Sequence, residues 1–317
     1  MYFLDRIHLN VIKHRNLWFA VSGVLLLAGL IALGTRGLNL GIDFKGGSIL
    51  QRTFESKVTV AQVTDALKDP SLQATGTNDA QVQAGAGNTI IIRTVALSPA
   101  QEKQVDDVLQ QRVGKIDLTQ NQTDTVGPVV GRELTSNAFW AVVVASILML
   151  VYITVRFEFK FAVAAIIALL HDVFMIMGLF ALTGKQVDSP FVAAILTIIG
   201  YSINDTIVIF DRIRENLRFH KKGESYAALV DNSINQTLAR SINTVGTTLV
   251  SIIALYFFGG ESIKVFTFAL LFGIFSGCYS SIFIASPIWV TWKEWEERRK
   301  ASGVAAKGKK LATAKAR

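Results

Sequence analysis

SPFVAAILTIIGYSINDTIVIF, residues 189–210, is apolar or small at nearly every position and carries a single acid, Asp205. The run is long enough to cross a hydrocarbon layer as a helix. A charge at bilayer depth costs about 2.5 to 3.5 kcal/mol even on insertion-derived scales, so such an acid marks an ion pathway, a proton relay or a fixed partner. A candidate partner is Arg240, which opens the next apolar run. The pair points to a device that responds to protons or to voltage.

Five further windows of spanning length flank this one: 17–34, 137–155, 161–183, 241–258 and 265–292, the last long enough to run past the membrane surface. Hydrophobic residues make up 51% and charged residues 18%, and mean hydropathy is +0.41. A water-soluble domain carries about 25% charged residues, so that class is excluded. The sequence predicts a polytopic α-helical membrane protein of six transmembrane helices, with one polar α+β domain, 35–136, between the first and second.

Charge placement orients the spans, because Lys and Arg in short flanking loops stay on the cytoplasmic side. Arg6, Lys13 and Arg15 lie in the 1–16 segment, Arg156 and Lys160 between the second and third spans, and Arg212, Arg214, Arg218, Lys221, Lys222 and Arg240 in the 211–240 connection. Nine more lie in the 293–317 tail. The two short loops on the opposite side hold one each, Lys185 and Lys264. Both termini are therefore expected in the cytoplasm and the 35–136 domain outside. The net charge of +8 is mostly topology. The tail cations Lys307, Lys309, Lys310, Lys315 and Arg317 fit a lipid-facing or solvated stretch better than a nucleic-acid patch.

Ala32-Leu33-Gly34 has the spacing of a signal-peptidase site, but the apolar stretch before it exceeds the usual signal core, and an uncleaved anchor is expected. Cys278 stands alone inside the sixth span, which leaves the outer domain without a disulfide framework. That domain reads as strand 48–55, helix 59–68, strands 80–84 and 89–95, a helix from Ser98 to near Gly114, and strand 115–126, an order matching a ferredoxin-like split unit. Thr59 starts the first helix. Ser98 caps the second, with Pro99 at its first position and Glu102 expected to complete the capping exchange. The domain lacks His and Cys, and its paired acids Asp106 and Asp107 are expected to face solvent, so binding or force transmission fits it better than catalysis.

Inside the spans, Thr197, Tyr201, Asn204 and Asp205 fall on one helical stripe beside Gly200, and Arg240, Thr244, Thr247, Thr248 and Ser251 on another. The two stripes are expected to face each other. Asp205 precedes Asp211 by about 9 Å of helix, a gap that Arg240 can cover from the cytoplasmic end. The hydroxyls and Gly246 serve helix packing equally well, and a boundary arginine also snorkels to headgroups.

His171-Asp172, at mid-depth in the third span, is either a proton-handling pair or a hydrogen-bonded hinge. Gly273, Ser276, Gly277 and Ser280 read as close packing in the sixth span. Residues 224–239 carry Tyr226, Leu229, Val230, Ile234 and Leu238 at helical spacing, an amphipathic helix expected to lie at the inner surface. Neither a phosphate-binding Gly-x-x-x-x-Gly-Lys-Ser/Thr loop nor a zinc signature is present, so no nucleotide, cofactor or metal is expected and energy must come from an ion gradient or a partner.

Several segments together carry a family resemblance: Gly41-Ile42-Asp43-Phe44-Lys45-Gly46-Gly47, Val126-Gly127-Pro128 with Gly131, Arg156-Phe157-Glu158, His171-Asp172, the 200–206 and 211–216 segments, Thr237 to Arg240, and Phe258-Gly259-Gly260. On them, nearly the whole chain up to Arg299 resembles the SecF family of bacterial protein-export subunits, within the resistance-nodulation-division superfamily. The resemblance implies residence in the bacterial cytoplasmic (inner) membrane and pairing with SecD as the other half of a twelve-span unit. It further implies assistance to SecYEG in preprotein translocation, driven by the proton gradient and acting on unfolded preprotein at the outer face. Asp205 and Arg240 carry over as proton-pathway residues, with His171, Asp172 and Asn204 as secondary ones. A small-molecule or lipid exporter of the same superfamily, and a passive structural subunit of the translocon, are the competing readings; one outer domain and six spans argue against a self-contained pump.

Overall fold

The computed structural model describes residues 8–220, 223–260 and 263–315. Of the flanking cations, Arg6, Lys221, Lys222 and Arg317 lie outside the described residues, and for the tail cations Lys307, Lys309, Lys310 and Lys315 only the helical backbone is described.

The chain opens with a short 3-10 turn, Ile12–His14, and helix α1 (Arg15–Arg36). Strand β1 (Asn39–Leu40) and the one-turn helix α2 (Ile42–Lys45) lead into a separate domain made of β2 (Gly47–Thr53), α3 (Val60–Ala66), β3 (Gln81–Ala84), β4 (Thr89–Thr94), α4 (Pro99–Arg112) and β5 (Gln122–Val126). Helices α5 (Pro128–Arg156) and α6 (Phe159–Thr183), strand β6 (Gln186–Val187), and helices α7 (Ser189–Leu217) and α8 (Tyr226–Phe258) follow. The last long rod is α9 (Lys264–Ser280), a π turn over Ser281–Ala285, and α10 (Ser286–Lys315). Six helices among the described residues are long and apolar enough to cross a membrane.

Local chemistry sets the ends of these rods. Pro128 follows Gly127, and Pro190 follows the N-cap Asp188, whose carboxylate accepts from the Phe191 amide at 3.0 Å; proline is tolerated there because first-turn amides have no partner inside the helix. Gly184 closes α6 in the left-handed conformation. Helix α8 runs unbroken for 33 residues, so the surface helix expected over 224–239 and the span expected over 241–258 are one rod of about 50 Å. Neither proline nor glycine interrupts it before Gly246, and Ser233 and Thr237 return their hydroxyls to carbonyls of their own helix.

Helix α7 sits centrally among α6, α8 and α9. Its seam with α9 is close because α9 presents glycines: a Cβ on Gly273 would overlap Ile198, and one on Gly277 would come within 3.0 Å of Ser202. In the same way, a Cβ on Gly178 of α6 would lie 2.6 Å from the Gly29 Cα of α1. Helix α5 keeps an exposed apolar face, including Phe139, Trp140, Leu148 and Val155, as a surface bathed in hydrocarbon can.

The separate domain is a four-stranded antiparallel sheet in the order β3-β4-β2-β5. Its core gathers Leu50, Phe54, Ile90 and Ile92 of the sheet with Val63 of α3 and Val105 and Leu109 of α4. The last strand is shorter than the 115–126 expected. Gly114 at φ +156° and an Asp117 turn that binds the Thr119 amide at 3.0 Å interrupt it, leaving Ile116 bridged singly to Phe54.

Two side-chain expectations are corrected in α4. The capping exchange of Ser98 is completed by Gln101, which is the third helical residue, rather than by Glu102. Asp106 does not face solvent. Arg52 on β2, only 1% exposed, donates from Nε to Asp106 Oδ1 at 2.6 Å and from Nη2 to Glu102 Oε1 at 2.7 Å, and Nη1 bonds the Gln122 carbonyl at 2.9 Å. Burial pushes the Asp106 carboxyl above its ordinary range, with the Arg52 hydrogen bond opposing it. One guanidinium thus ties β2, β5 and α4 beneath a small sheet.

Breaking a buried ion pair from one side strands the other charge and costs about 3 to 5 kcal/mol. Arg52→Ala is expected to lose amide-exchange protection in β2 and β5 by that amount while exchange in α7 and α9 stays unchanged.

Candidate functional site

Two carboxylates, Asp172 fully buried and Asp205 half-buried, lie on either side of the α7–α9 seam, and their surroundings differ. Asp205 of α7 faces α8. Its Oδ1 accepts from Ser241 Oγ at 2.6 Å, while its Oδ2 is buried without a hydrogen-bond partner among the described residues. The carboxylate borders a chamber of about 60 Å³ whose wall includes Tyr201, Asn204, Arg240, Thr244 and Cys278, room for a few waters.

Arg240 and Asp205 share that chamber, and among the described residues no ion pair joins them directly. The α8 side chain that touches the acid is the neighbour, Ser241, 1% exposed and turned inward. Arg240, Asn204 and Val208 also line a wider vestibule of about 430 Å³ reaching Arg156, Asp211, Arg212 and Glu215. The chamber and the vestibule thus share Asn204, Val208 and Arg240 as wall, and the vestibule extends to Arg156 at the end of α5 and to Asp211, Arg212 and Glu215 near the end of α7.

The facing stripes meet at one further point, where the Tyr201 and Thr248 hydroxyls lie 3.1 Å apart. The remaining hydroxyls mostly bond their own helices: Thr197 to the Ala193 carbonyl at 2.8 Å, Thr247 to Asn243 at 2.9 Å and Ser251 to Thr247 at 3.2 Å. Thr197, Asn204, Asn243, Thr244 and Thr247 are exposed along one side of α7 and α8.

Asp172 of α6, 1% exposed, is enclosed instead. Oδ1 accepts from Ser276 Oγ at 2.7 Å and lies 3.1 Å from His171 Nδ1. Oδ2 accepts from Ser202 Oγ at 2.7 Å and Ser280 Oγ at 2.6 Å. A carboxylate offers about four lone-pair positions, and here each oxygen has two neighbours. Among the described residues His171 Nε2 is buried without a partner; its ring lies 6.1 Å from that of Tyr279, whose hydroxyl reaches Ser22 of α1 at 3.0 Å. The ridge expected to serve packing alone thus divides its work, with Gly273 and Gly277 packing on α7 and Ser276 and Ser280 bonding Asp172. Thr206 and Ser281, 2.7 Å apart, extend this hydroxyl seam toward the π turn.

Ser241 and Ser202 were not singled out by the sequence. The signal for Ser241 is the small-polar series Ser233, Thr237 and Ser241, spaced four apart and all buried, which follows the inward face of α8 beside the Arg240 stripe.

Residues 105–295 match the family described as Protein export membrane protein SecD/SecF, C-terminal, and residues 31–58, from the end of α1 past β2, match the SecD/SecF GG Motif. Protein translocase subunit SecF of Sebaldella termitidis is 42% identical over 280 residues, 88% of this chain and 90% of that one. Protein translocase subunit SecF of Acidaminococcus fermentans is 44% identical over 289 residues, 90% and 97% respectively. Protein translocase subunit SecDF of Bacillus subtilis is 40% identical over 90% of this chain but only 38% of its own. Among solved structures, SecDF from Thermus thermophilus, a translocon-associated membrane protein, superposes with a TM-score of 0.81 at 34% identity, covering 93% of this chain and 40% of that one.

Removing a hydroxyl that serves a buried acceptor costs about 1 to 3 kcal/mol. Ser280→Ala and Ser276→Ala are each expected to lower the thermal stability of the detergent-solubilised helical bundle by that amount, and Thr247→Ala, whose hydroxyl bonds only its own helix, to leave it within experimental scatter.

Proposed function

This chain belongs to the SecD/SecF family of protein-export membrane proteins, and from that membership we propose that it is the SecF-type half of a proton-driven unit assisting SecYEG-dependent preprotein translocation. The observation that carries the proposal is the asymmetry of Asp205: one oxygen held by Ser241, the other buried without a partner against a small chamber. A proton has a place to bind there, and the vestibule past Asn204 and Arg240 offers a path for it.

The mechanism follows from charge. An ionised Asp205 attracts the Arg240 guanidinium across the shared chamber; a protonated one does not, and α8 is then free to shift against α7. One charge crossing 100 mV is worth about 2.3 kcal/mol, enough to bias a two-state element. Asp172, whose oxygens are already surrounded by hydroxyls, is suited to hold α6, α7 and α9 together, and His171 and Asn204 remain secondary members of the pathway.

The exposed polar face of Thr197, Asn204, Asn243, Thr244 and Thr247 calls for a protein neighbour, since polar side chains at membrane depth turn toward protein or water-filled space rather than lipid. We assign that face to SecD. The Bacillus subtilis relative, named SecDF, supports the pairing. Membrane lipid covers the apolar face of α5. In this reading the protein resides in the bacterial inner membrane with both termini in the cytoplasm, as the cation-rich loops favour. The four-stranded domain, whose order β3-β4-β2-β5 supports the ferredoxin-like reading, lies outside and meets unfolded preprotein there.

Asp205→Asn, assayed in inverted vesicles, is expected to abolish gradient-stimulated preprotein export while assembly with SecD is retained. Export that still responds fully to the gradient leaves a passive structural subunit as the better account, and drug efflux by the purified chain points instead to an exporter.

A further inference from the structure

The first helical rod begins without a cap of its own. Val11 stands at the N-cap of the 3-10 turn and has no side-chain oxygen to offer, and His14, at the N-cap of α1, makes no capping bond either. First-turn amides have no partner inside a helix, and here the partner comes from another rod. Asp231 of α8 accepts from the Ile12 amide through Oδ1 at 2.9 Å, a carboxylate at the positive end of the dipole. One turn along α8, Asn235 takes both backbone groups of a single residue: its Oδ1 accepts from the Leu9 amide at 2.8 Å and its Nδ2 donates to the Leu9 carbonyl at 3.0 Å. Nδ2 also donates to the Asp231 carbonyl at 2.8 Å, which fixes the amide plane. Val11 and Ile12, 1% and 3% exposed, are buried in the bundle core.

This strap joins two rods that pack elsewhere. Helix α1 lies along α6, where Gly29 meets Gly178, and residues 9–12 carry its tie to α8. Helix α8 is held near the same end by α7 as well, since Asn216 donates through Nδ2 to Ser233 Oγ at 2.8 Å and to Gln236 Oε1 at 3.2 Å. Leu229, Val230, Ile234 and Leu238 are buried there. Past Val245 the packing thins: among residues 246–258 only Ile252 is buried, Thr248 keeps its hydroxyl contact with Tyr201, and Val250, Phe257 and Phe258 are exposed. The rod is thus fastened toward Tyr226 and lightly packed toward Phe258. Arg240 and Ser241, the α8 residues beside Asp205, follow Asn235 by about 7.5 and 9 Å along the axis.

We infer that residues 9–12, gripped by Asp231 and Asn235, are the fulcrum on which α8 shifts against α7 when the charge on Asp205 changes. Asp231 and Asn235 act as positioning residues. They hold the Tyr226 end of α8 to α1, so that the pull between Asp205 and Arg240 turns the rod about that end instead of sliding it whole along α7. The inference rests on the proton-coupled reading of Asp205 and adds to it the residues that convert a change of charge into a tilt.

The test uses the chain assembled with SecD in inverted vesicles, carrying Leu9→Cys and Asn235→Cys, with preprotein export measured with and without an imposed proton gradient. With both thiols free the strap is open, and the gradient-stimulated part of export is expected to fall at least about fivefold, the lower end of typical coupling between linked sites, with assembly retained. Bridging the two thiols with a short reducible bifunctional methanethiosulfonate is expected to restore stimulation, and reduction to remove it again, a reversal that a fold damaged by the substitutions does not give. Asn235→Cys alone, treated identically, is expected to stay unstimulated. Asp231→Ala is expected to lose stimulation likewise, and Asp231→Asn, which keeps an oxygen for the Ile12 amide, to retain most of it. Full stimulation with the strap open, or none with it bridged, overturns the fulcrum, and loss of stimulation in Asp205→Asn in the same vesicles then leaves the proton reading standing. Full stimulation in Asp205→Asn overturns both.

Discussion

A carboxylate carried into hydrocarbon must recover from its neighbours the hydrogen bonds that water supplied. That constraint organises the helical bundle. Asp172 meets it with three hydroxyls from α7 and α9, and placing those hydroxyls requires the helices to approach at the distance that Gly277 permits. Asp205 meets it only halfway, through Ser241. The two acids reach α7 only one turn apart, at Ser202 and at Asp205 itself, so the same helix is anchored to α6 through Ser202 and left with an unsatisfied group toward α8. Low dielectric magnifies both conditions: a satisfied network stiffens its surroundings, and an unsatisfied group is costly enough to respond to small changes.

The four-stranded domain answers a similar demand in different surroundings. Arg52 is almost fully buried beneath a sheet too small to bury much apolar surface, and it spends its fork of donors on α4 and β5. The domain's own core, with Leu50, Ile92, Val105 and Leu109, is separate from that of the bundle. Its ties to the bundle are consequently few and specific, concentrated in the segments 37–47 and 126–131. Gly131 packs so tightly on α2 that a Cβ would lie 3.0 Å from the Phe44 carbonyl. A body with its own core and a narrow, well-defined attachment can move as a unit.

Much of this was legible in the sequence, because membrane spans are written in long runs of one character and the order of strands and helices in the sheet domain is marked by caps and turns. The opposition of α7 and α8 followed from helical spacing alone. The precise partner did not: spacing put Arg240 next to Asp205, but a side chain that long has many places to go, and the short Ser241 is held where the backbone puts it. The same limit hid the enclosure of Asp172, since three serines on two helices converge only after the helices are packed. Asp106 was misjudged for a related reason, as its partner Arg52 lies 54 residues away on another element, whereas Glu102 lies one position past Gln101, the third helical residue that closes the capping exchange.

The π turn at Ser281–Ala285 carries one residue more per turn than the α-helices it joins, and the Ser286 hydroxyl returns to the Ser281 carbonyl at 3.0 Å across it. An added residue rotates everything downstream by about 100° about the axis. That offset is what seats Trp289, fully buried, against the Phe161 ring at 4.7 Å while leaving Ser276 and Ser280 aimed at Asp172. The sixth rod therefore holds two phases at once, and its sequence can neither lose nor gain a residue at that turn without giving up either the aromatic seat or the hydroxyl cage.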